Sequence, residues 1–278
     1  MTNLRSTEKS KTAIYEARQE LSPFLRRLDL ETLSRHNKGY LSYAVDPVKC
    51  FIDTEMHTHL KIVDLFINLL PKCSRIIDIG FFIPVVPIAL AKLGFHVSSI
   101  EKLSFYGNAL DEIIAFTKQT YNIELYDLDI LHDNIHMLIN HFDAVILSAI
   151  LEHLNGTPSN LLYNAKVLGK KSAYYLLTVP NVASLRKRIA FLIKGLPPYP
   201  PISIYYHSEY PFTGHNREYT INDLKYVLDR AGFKIIDIYG HSRSISNNSS
   251  LKDRFILRIG KQLRLNSLQE SIIALAQK

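Results

Sequence analysis

The residues able to do chemistry fall at the ends of four short apolar runs. "RIIDIG" closes on Gly80 with Asp78 just before it, "FHVSSIE" closes on Glu101, and "NIELYDLDI" carries Asp127 and Asp129 near its exit. "HFDAVILSAILEHL" leads from Ser148 into Glu152 and His153. If these runs are parallel strands, their exits share one rim, where open sheets bind ligands. A carboxylate after the second strand, roughly 20 residues past the first turn, can accept both hydroxyls of a ribose. An acid after the third strand can accept an adenine amino group, and Gly80, lacking a Cβ, lets the backbone approach a ligand closely. Together these groups describe an adenosine site. His153 and His215 are general-base candidates because histidine titrates near working pH, and Glu152 and Glu218 can orient them.

Each residue also has a bland use. Asp78 can be a strand-end acid held by backbone amides, Asp129 a solvated loop carboxylate beside Asp127 and Asp133, and the Glu152-His153 pair a turn organiser.

The elements needed to position the site follow from periodicity. Residues 1 to about 45 read as one or two helices, and "HTHLKIVDLFINLL" as a helix stopped by Pro71. Then "RIIDIG" (strand), "VVPIALAKLG" (helix closed by Gly94), "FHVSSIE" (strand) and "SFYGNALDEIIAFTKQTY" (helix) alternate. The alternation continues with "NIELYDLDI" (strand), "HFDAVILSAI" (strand), "TPSNLLYNAKVLG" (helix) and "SAYYLLTVPN" (strand). Such alternation predicts right-handed crossovers and a mainly parallel, doubly wound α/β sheet covered on both faces. Residues 182–219 interrupt it with a basic helical piece and a proline- and tyrosine-rich loop, before "INDLKYVLDRAGF" resumes as a helix with Thr220 as its N-cap. "KIIDIYG" and "RFILRIG" read as strands and the C-terminal residues as a helix. The expected organisation is a helical cap over 1–56, an α/β domain over 57–260 and a C-terminal helix over 261–278.

Composition narrows the class. Hydrophobic residues make up 47% and charged residues 21% of 278, as in a globular protein with a sizeable core. No apolar run reaches the ~20 residues of a membrane-spanning helix. The polar N-terminus lacks the apolar core of a secretory signal, so a cytoplasmic protein is expected. Cys50 and Cys73 form no CxxC, and no His/Cys cluster has metal-ligand spacing, so neither a disulfide framework nor a metal site is expected. The net charge of +7 favours anionic partners without selecting among them. No nucleic-acid motif accompanies it, and nucleic acid is not an expected partner. "SLRKRIAFLIKG" is basic and amphipathic, suited either to a solvated surface or, through 185–196, to peripheral contact with an anionic membrane or lipid-linked substrate. Tyrosines 199, 205, 206, 210 and 219 could line an acceptor pocket or pack a rigid flap.

From about Leu60 to Gly260 the chain resembles the class I S-adenosylmethionine-dependent methyltransferases, in the branch of ubiquinone-type and glycan-modifying enzymes. The resemblance rests on "IIDIG" with "ALAKLG", the acid of "SSIE", "FDAVILSAILEHL", "YYLLTVPN" and "GHNREYTINDLKYVLDRAGF", in that order. It implies S-adenosylmethionine as cofactor, with Asp78 and Gly80 framing its methionine end, Glu101 on the ribose, Asp129 at adenine, and Phe82 and Ser148 alongside. It also implies methyl transfer to oxygen of a small-molecule, glycan or lipid-linked acceptor held under a lid formed by 182–219, with His215, His153 and Glu152 as the catalytic group. The chain departs from the family's D-x-G-x-G-x-G turn by carrying Phe82 and Pro84 at the later glycines. That loop separates an active methyltransferase from a relative that keeps the fold as a binding or scaffolding module. A NAD-dependent oxidoreductase is disfavoured because G-x-G-x-x-G is absent.

Overall fold

The computed structural model describes residues 7–36, 47–195, 202–208, 212, 214–242 and 265–278. In chain order the elements are α1 (Glu8–Arg27), α2 (Leu30–His36), α3 (Pro47–Leu69), β1 (Arg75–Ile79), α4 (Val85–Lys92), β2 (His96–Glu101), α5 (Asp111–Tyr121), β3 (Glu124–Asp127) and β4 (Phe142–Ser148). There follow α6 (Ser159–Leu168), β5 (Gly169–Pro180), α7 (Leu185–Lys194), α8 (Ile202–His207), α9 (Ile221–Arg230), β6 (Lys234–His241) and β7 (Ser271–Gln277).

The seven strands form one sheet in the order β3-β2-β1-β4-β5-β7-β6. The pairs among β1 to β5 are parallel, and β7 runs antiparallel to both neighbours. Strand order reverses between β1 and β4, the position at which an open α/β sheet leaves a crevice at its carboxyl ends. The expected mainly parallel, doubly wound sheet is therefore present. Side chains alternate between two apolar layers: Ile76 of β1 packs with α1, α3, α4 and α5, while Ile77 and Ile79 pack with α6 and α9. Alternation puts Asp78 on the Ile76 face.

Three features differ from the sequence reading. The C-terminal helix expected over 261–278 is replaced across its last residues by β7, whose "SIIALAQ" run is buried along almost its whole length between β5 and β6. A short continuous apolar run has no periodicity that separates a doubly buried strand from a helix. The helix expected from Ser104 starts at Asp111, after a single turn at Leu103–Phe105. Helix α3 runs through residue 56, and α1 is clamped to the α/β body by Lys92 of α4, which pairs with Glu16 at 2.9 Å and Glu20 at 2.8 Å. The expected strand "RFILRIG" lies outside the described residues. Thr220 and Asp223 form a reciprocal capping box at the start of α9.

Candidate functional site

A cavity of about 450 Å³ opens at the carboxyl ends of the strands, lined by Gly80, Phe82, Glu101, Asp129, Ser148, Glu152, His153 and His215 among others. Its size suits a small-molecule ligand. Of the residues singled out in the sequence, Asp78, 6% exposed on β1, lies behind the lining, and Asp127 and Glu218 also fall outside it.

The first wall is built around Glu101, 9% exposed at the last position of β2. Its carboxylate accepts the Lys102 N–H at 2.8 Å, the Phe82 N–H at 3.3 Å and the Tyr106 hydroxyl at 3.3 Å. Burial raises its pKa above the ordinary value, and these donors only partly offset that rise. Asp78 is raised well above its ordinary range, first by burial and then by the Glu101 charge. Burial and Glu101 likewise raise the Tyr106 phenol, which keeps its proton and stays a donor.

Gly80 adopts φ +97°, a conformation that side chains rarely tolerate, and a Cβ there would come within 2.3 Å of the Ile150 side chain. Ile150 is set in place by Ala149, itself at φ +55°, immediately past β4. Strain of this kind in a non-glycine residue gathers at functional sites. In the divergent part of the loop, Phe81 is buried in the core, whereas the Phe82 ring faces the cavity and stacks on Tyr106 at 5.5 Å and 22°. Pro84 sits at the N-cap of α4, where a missing N–H costs nothing.

Asp129 lies on the cavity and pairs with Lys102 at 2.9 Å while accepting the Leu131 N–H at 3.0 Å. Burial disfavours its charge, but Lys102 and the Leu131 amide outweigh that and hold its pKa below the ordinary range. Asp127 instead accepts the Leu103 N–H at 3.0 Å. Ser148 reaches the cavity at the exit of β4 and shares a 2.8 Å hydrogen bond with Thr178 of β5.

The second wall is assembled from two distant segments. A turn at Leu151–His153 presents Glu152, fully buried, and His153. The carbonyl of Glu152 accepts the Asn216 N–H at 2.6 Å and the Arg217 N–H at 3.3 Å, which docks the 214–219 segment against this turn. The rings of His153 and His215 meet edge to face at 4.9 Å and 82°. His215 Nδ1 contacts Glu218 at 3.1 Å, and Glu218 also pairs with Lys187 of α7. Burial works against the Glu218 charge, yet His215 and Lys187 hold its pKa below the ordinary value. When Nδ1–H is donated to this carboxylate, Nε2 of His215 carries the lone pair.

The sequence reading did not single out Tyr106, Lys102 or Ile150, whose types carry no motif, and it took Lys187 only as one of the basic residues of "SLRKRIAFLIKG". Among the tyrosines expected to line an acceptor pocket, Tyr219 is buried in the core and Tyr205 and Tyr206 are exposed away from the cavity lining. Tyr199 and Tyr210 lie outside the described residues. On α7, Phe191, Leu192 and Ile193 are exposed beside the basic side chains. No helix among the described residues is long and apolar enough to cross a membrane.

No protein-family model matches the chain, and no curated relative matches it either. Solved structures do share its fold. One is the 1,6-didemethyltoxoflavin-N1-methyltransferase of Burkholderia thailandensis with 1,6-didemethyltoxoflavin and S-adenosylhomocysteine bound, 12% identical over 83% of this chain and 81% of that one, TM-score 0.51. A second is the magnesium protoporphyrin IX methyltransferase of Synechocystis PCC 6803 with S-adenosylhomocysteine bound, 15% identical over 80% and 82%, TM-score 0.51. A third, the 4+2 cyclase SpnF, is 14% identical over 78% and 80%, TM-score 0.51. At such identities the likeness is one of architecture: the chain has the Rossmann-like fold seen in class I S-adenosylmethionine-dependent methyltransferases.

Proposed function

We propose that the chain is an S-adenosylmethionine-dependent methyltransferase acting on an oxygen of a small-molecule, glycan or lipid-linked acceptor. The observation that carries this reading is convergence: the carboxylates at the exits of β2 and β3, Glu101 and Asp129, and a histidine pair from two other segments face one cavity at the point where strand order reverses. When bound, the cofactor supplies the methyl group on a sulfonium that is its own leaving group. The residues present fit it. Glu101 takes the ribose hydroxyls, Asp129 lies toward adenine, and Gly80 with Asp78 behind it frames the methionine end, with Phe82 and Ser148 alongside. The chain's remaining task is to align the acceptor and withdraw its proton, assigned to His215 with His153 and Glu152. Segment 182–219, of which His215 lines the cavity, is assigned to the acceptor as its lid.

One observation favours the second reading, a binding or scaffolding module. A carboxylate has about four acceptor positions, and Glu101 already receives three donors, one of them from Phe82. Two ribose hydroxyls can be added only if one of these bonds yields.

Calorimetric titration with S-adenosylmethionine and S-adenosylhomocysteine separates the two. Binding that weakens about 100-fold in Glu101→Ala, a loss of roughly 2.7 kcal/mol, supports the enzyme reading. No heat at millimolar ligand rejects it.

A further inference from the structure

We propose that Glu152, His153 and His215 form a site for a divalent first-row transition cation on the acceptor side of the cavity. Each offers one ligand atom, and the three atoms lie within 4.8 Å of one another although the sequence shows no metal-ligand spacing. Two imidazoles and one carboxylate suit Zn²⁺, Fe²⁺, Co²⁺ or Mn²⁺ better than Ca²⁺ or Mg²⁺, which prefer all-oxygen shells.

The surroundings have the layout of a metal site. Glu218 holds His215 at Nδ1, leaving Nε2 as the ligand nitrogen, and Lys187 in turn fixes Glu218. A metal-ligating histidine characteristically gives its other nitrogen to such a carboxylate, which sets the tautomer and the ring orientation. Glu152 is fully withdrawn from water, and an ionised carboxylate so placed is stabilised by an adjacent cation. All three residues line the cavity, with the Glu152 carboxylate fully buried at its wall, so a site there has the cavity on its open side.

An acceptor hydroxyl bound there loses its proton to water more readily because the cation stabilises the oxyanion. With their lone pairs on the ion, His215 and His153 would serve as its ligands in place of the base role given them above. The activation of an acceptor hydroxyl rests on the methyltransferase reading, whereas the cation site does not.

The test uses tag-free protein stripped with a chelator and titrated with Zn²⁺ and Co²⁺, followed by calorimetry and by the visible absorption of Co²⁺. One equivalent is expected to bind, with a d–d band. Affinity should fall at least tenfold in His215→Ala and His153→Ala, fall about 10- to 100-fold in Glu218→Gln through loss of ligand orientation, and hold in His136→Ala, which alters an exposed histidine elsewhere. Should His215→Ala lower the folded yield, His153→Gln, on the half-buried imidazole, carries the comparison. No saturable uptake, or uptake unchanged in both histidine variants, overturns the site. S-adenosylhomocysteine binding without metal uptake overturns the cation site and leaves the methyltransferase reading standing. Metal uptake without cofactor binding does the reverse.

Discussion

On one wall of the cavity Glu101 is held by the N–H groups of Phe82, in the turn after β1, and Lys102, in its own turn, and by a tyrosine five residues on. On the other, His215 is held by Glu218, and Glu218 by Lys187 from a separate helix. The first wall is a backbone construction: β2 delivers the carboxylate, and the turns that follow β1 and β2 supply its donors. The second is a chain of side-chain charges, tied to the turn after β4 by two backbone bonds onto the Glu152 carbonyl and to β5 by the Tyr219 N–H on the Pro180 carbonyl at 3.4 Å. A backbone cradle keeps its geometry when side chains change, so it tolerates Phe82 and Pro84 where glycines are expected. A charge chain is more sensitive to loss of a link, because a buried charge then loses its counter-charge: Lys187 would keep a neutral acceptor, the Asn181 carbonyl at 3.2 Å, in place of a carboxylate.

The largest effect should come from cutting that chain. Glu218→Gln is expected to lower stability at neutral pH by about 3 kcal/mol, since Lys187 keeps only 11% of its side-chain exposure. The pH dependence gives the sign. The Glu218 pKa is lower in the folded state than its ordinary 4.5, so its contribution is present above 4.5 and is lost as pH falls through the depressed value. Urea unfolding from pH 7 to 3 should show this loss in the parent and a flatter curve in the variant. Equal stability of the two at pH 7 would show that the second wall does not depend on charge.

Next comes the turn under the first wall. Gly80→Ala should cost about 2 kcal/mol, combining the positive φ with the contact to Ile150. Adding Ile150→Ala relieves the contact and leaves the backbone strain, so the pair should recover part of the loss beyond the separate cost of Ile150→Ala. Full recovery would mean that φ at Gly80 carries no cost.

The smallest effect is a gain. The Asp78 pKa is raised in the folded state, so the parent loses stability as pH climbs past the ordinary 3.8 toward that raised value. Asp78→Asn should therefore be more stable at pH 7 by about 1 kcal/mol, with the advantage vanishing below pH 3.8. If the same variant binds S-adenosylhomocysteine more weakly, the buried charge is kept for binding at the expense of stability. An advantage over the parent no greater at pH 7 than at pH 3.5 would remove the argument that burial of Asp78 strains the first wall.

The two walls were not equally legible. Gly80, Glu101, Asp129 and Ser148 fall at strand exits, and strand exits follow from local alternation, so their shared rim could be read from the sequence. His153 and His215 could be named as residue types that do chemistry, but their contact depends on how 214–219 docks onto the Leu151–His153 turn, and no periodicity encodes that. The Lys187–Glu218 pair has the same origin. Tyr106 was hidden for another reason: it lies in a stretch that reads as helix, and its role comes from the irregular segment there instead. The mainly parallel, doubly wound sheet followed from βα alternation, whereas the placement of β7 could not, since its apolar run suits any fully buried element.

That last strand sets the order in which the sheet can be completed. Strand β6 precedes β7 in the chain but lies outside it in the sheet. A chain folded only as far as His241 holds β5 and β6 with nothing to join them, and each presents an open edge. Both ladders then close in one late, non-local event when Ser271–Gln277 enters between them. A fragment stopping short of Ser271 should accordingly self-associate through β5, with strands from other molecules taking the place of the missing one.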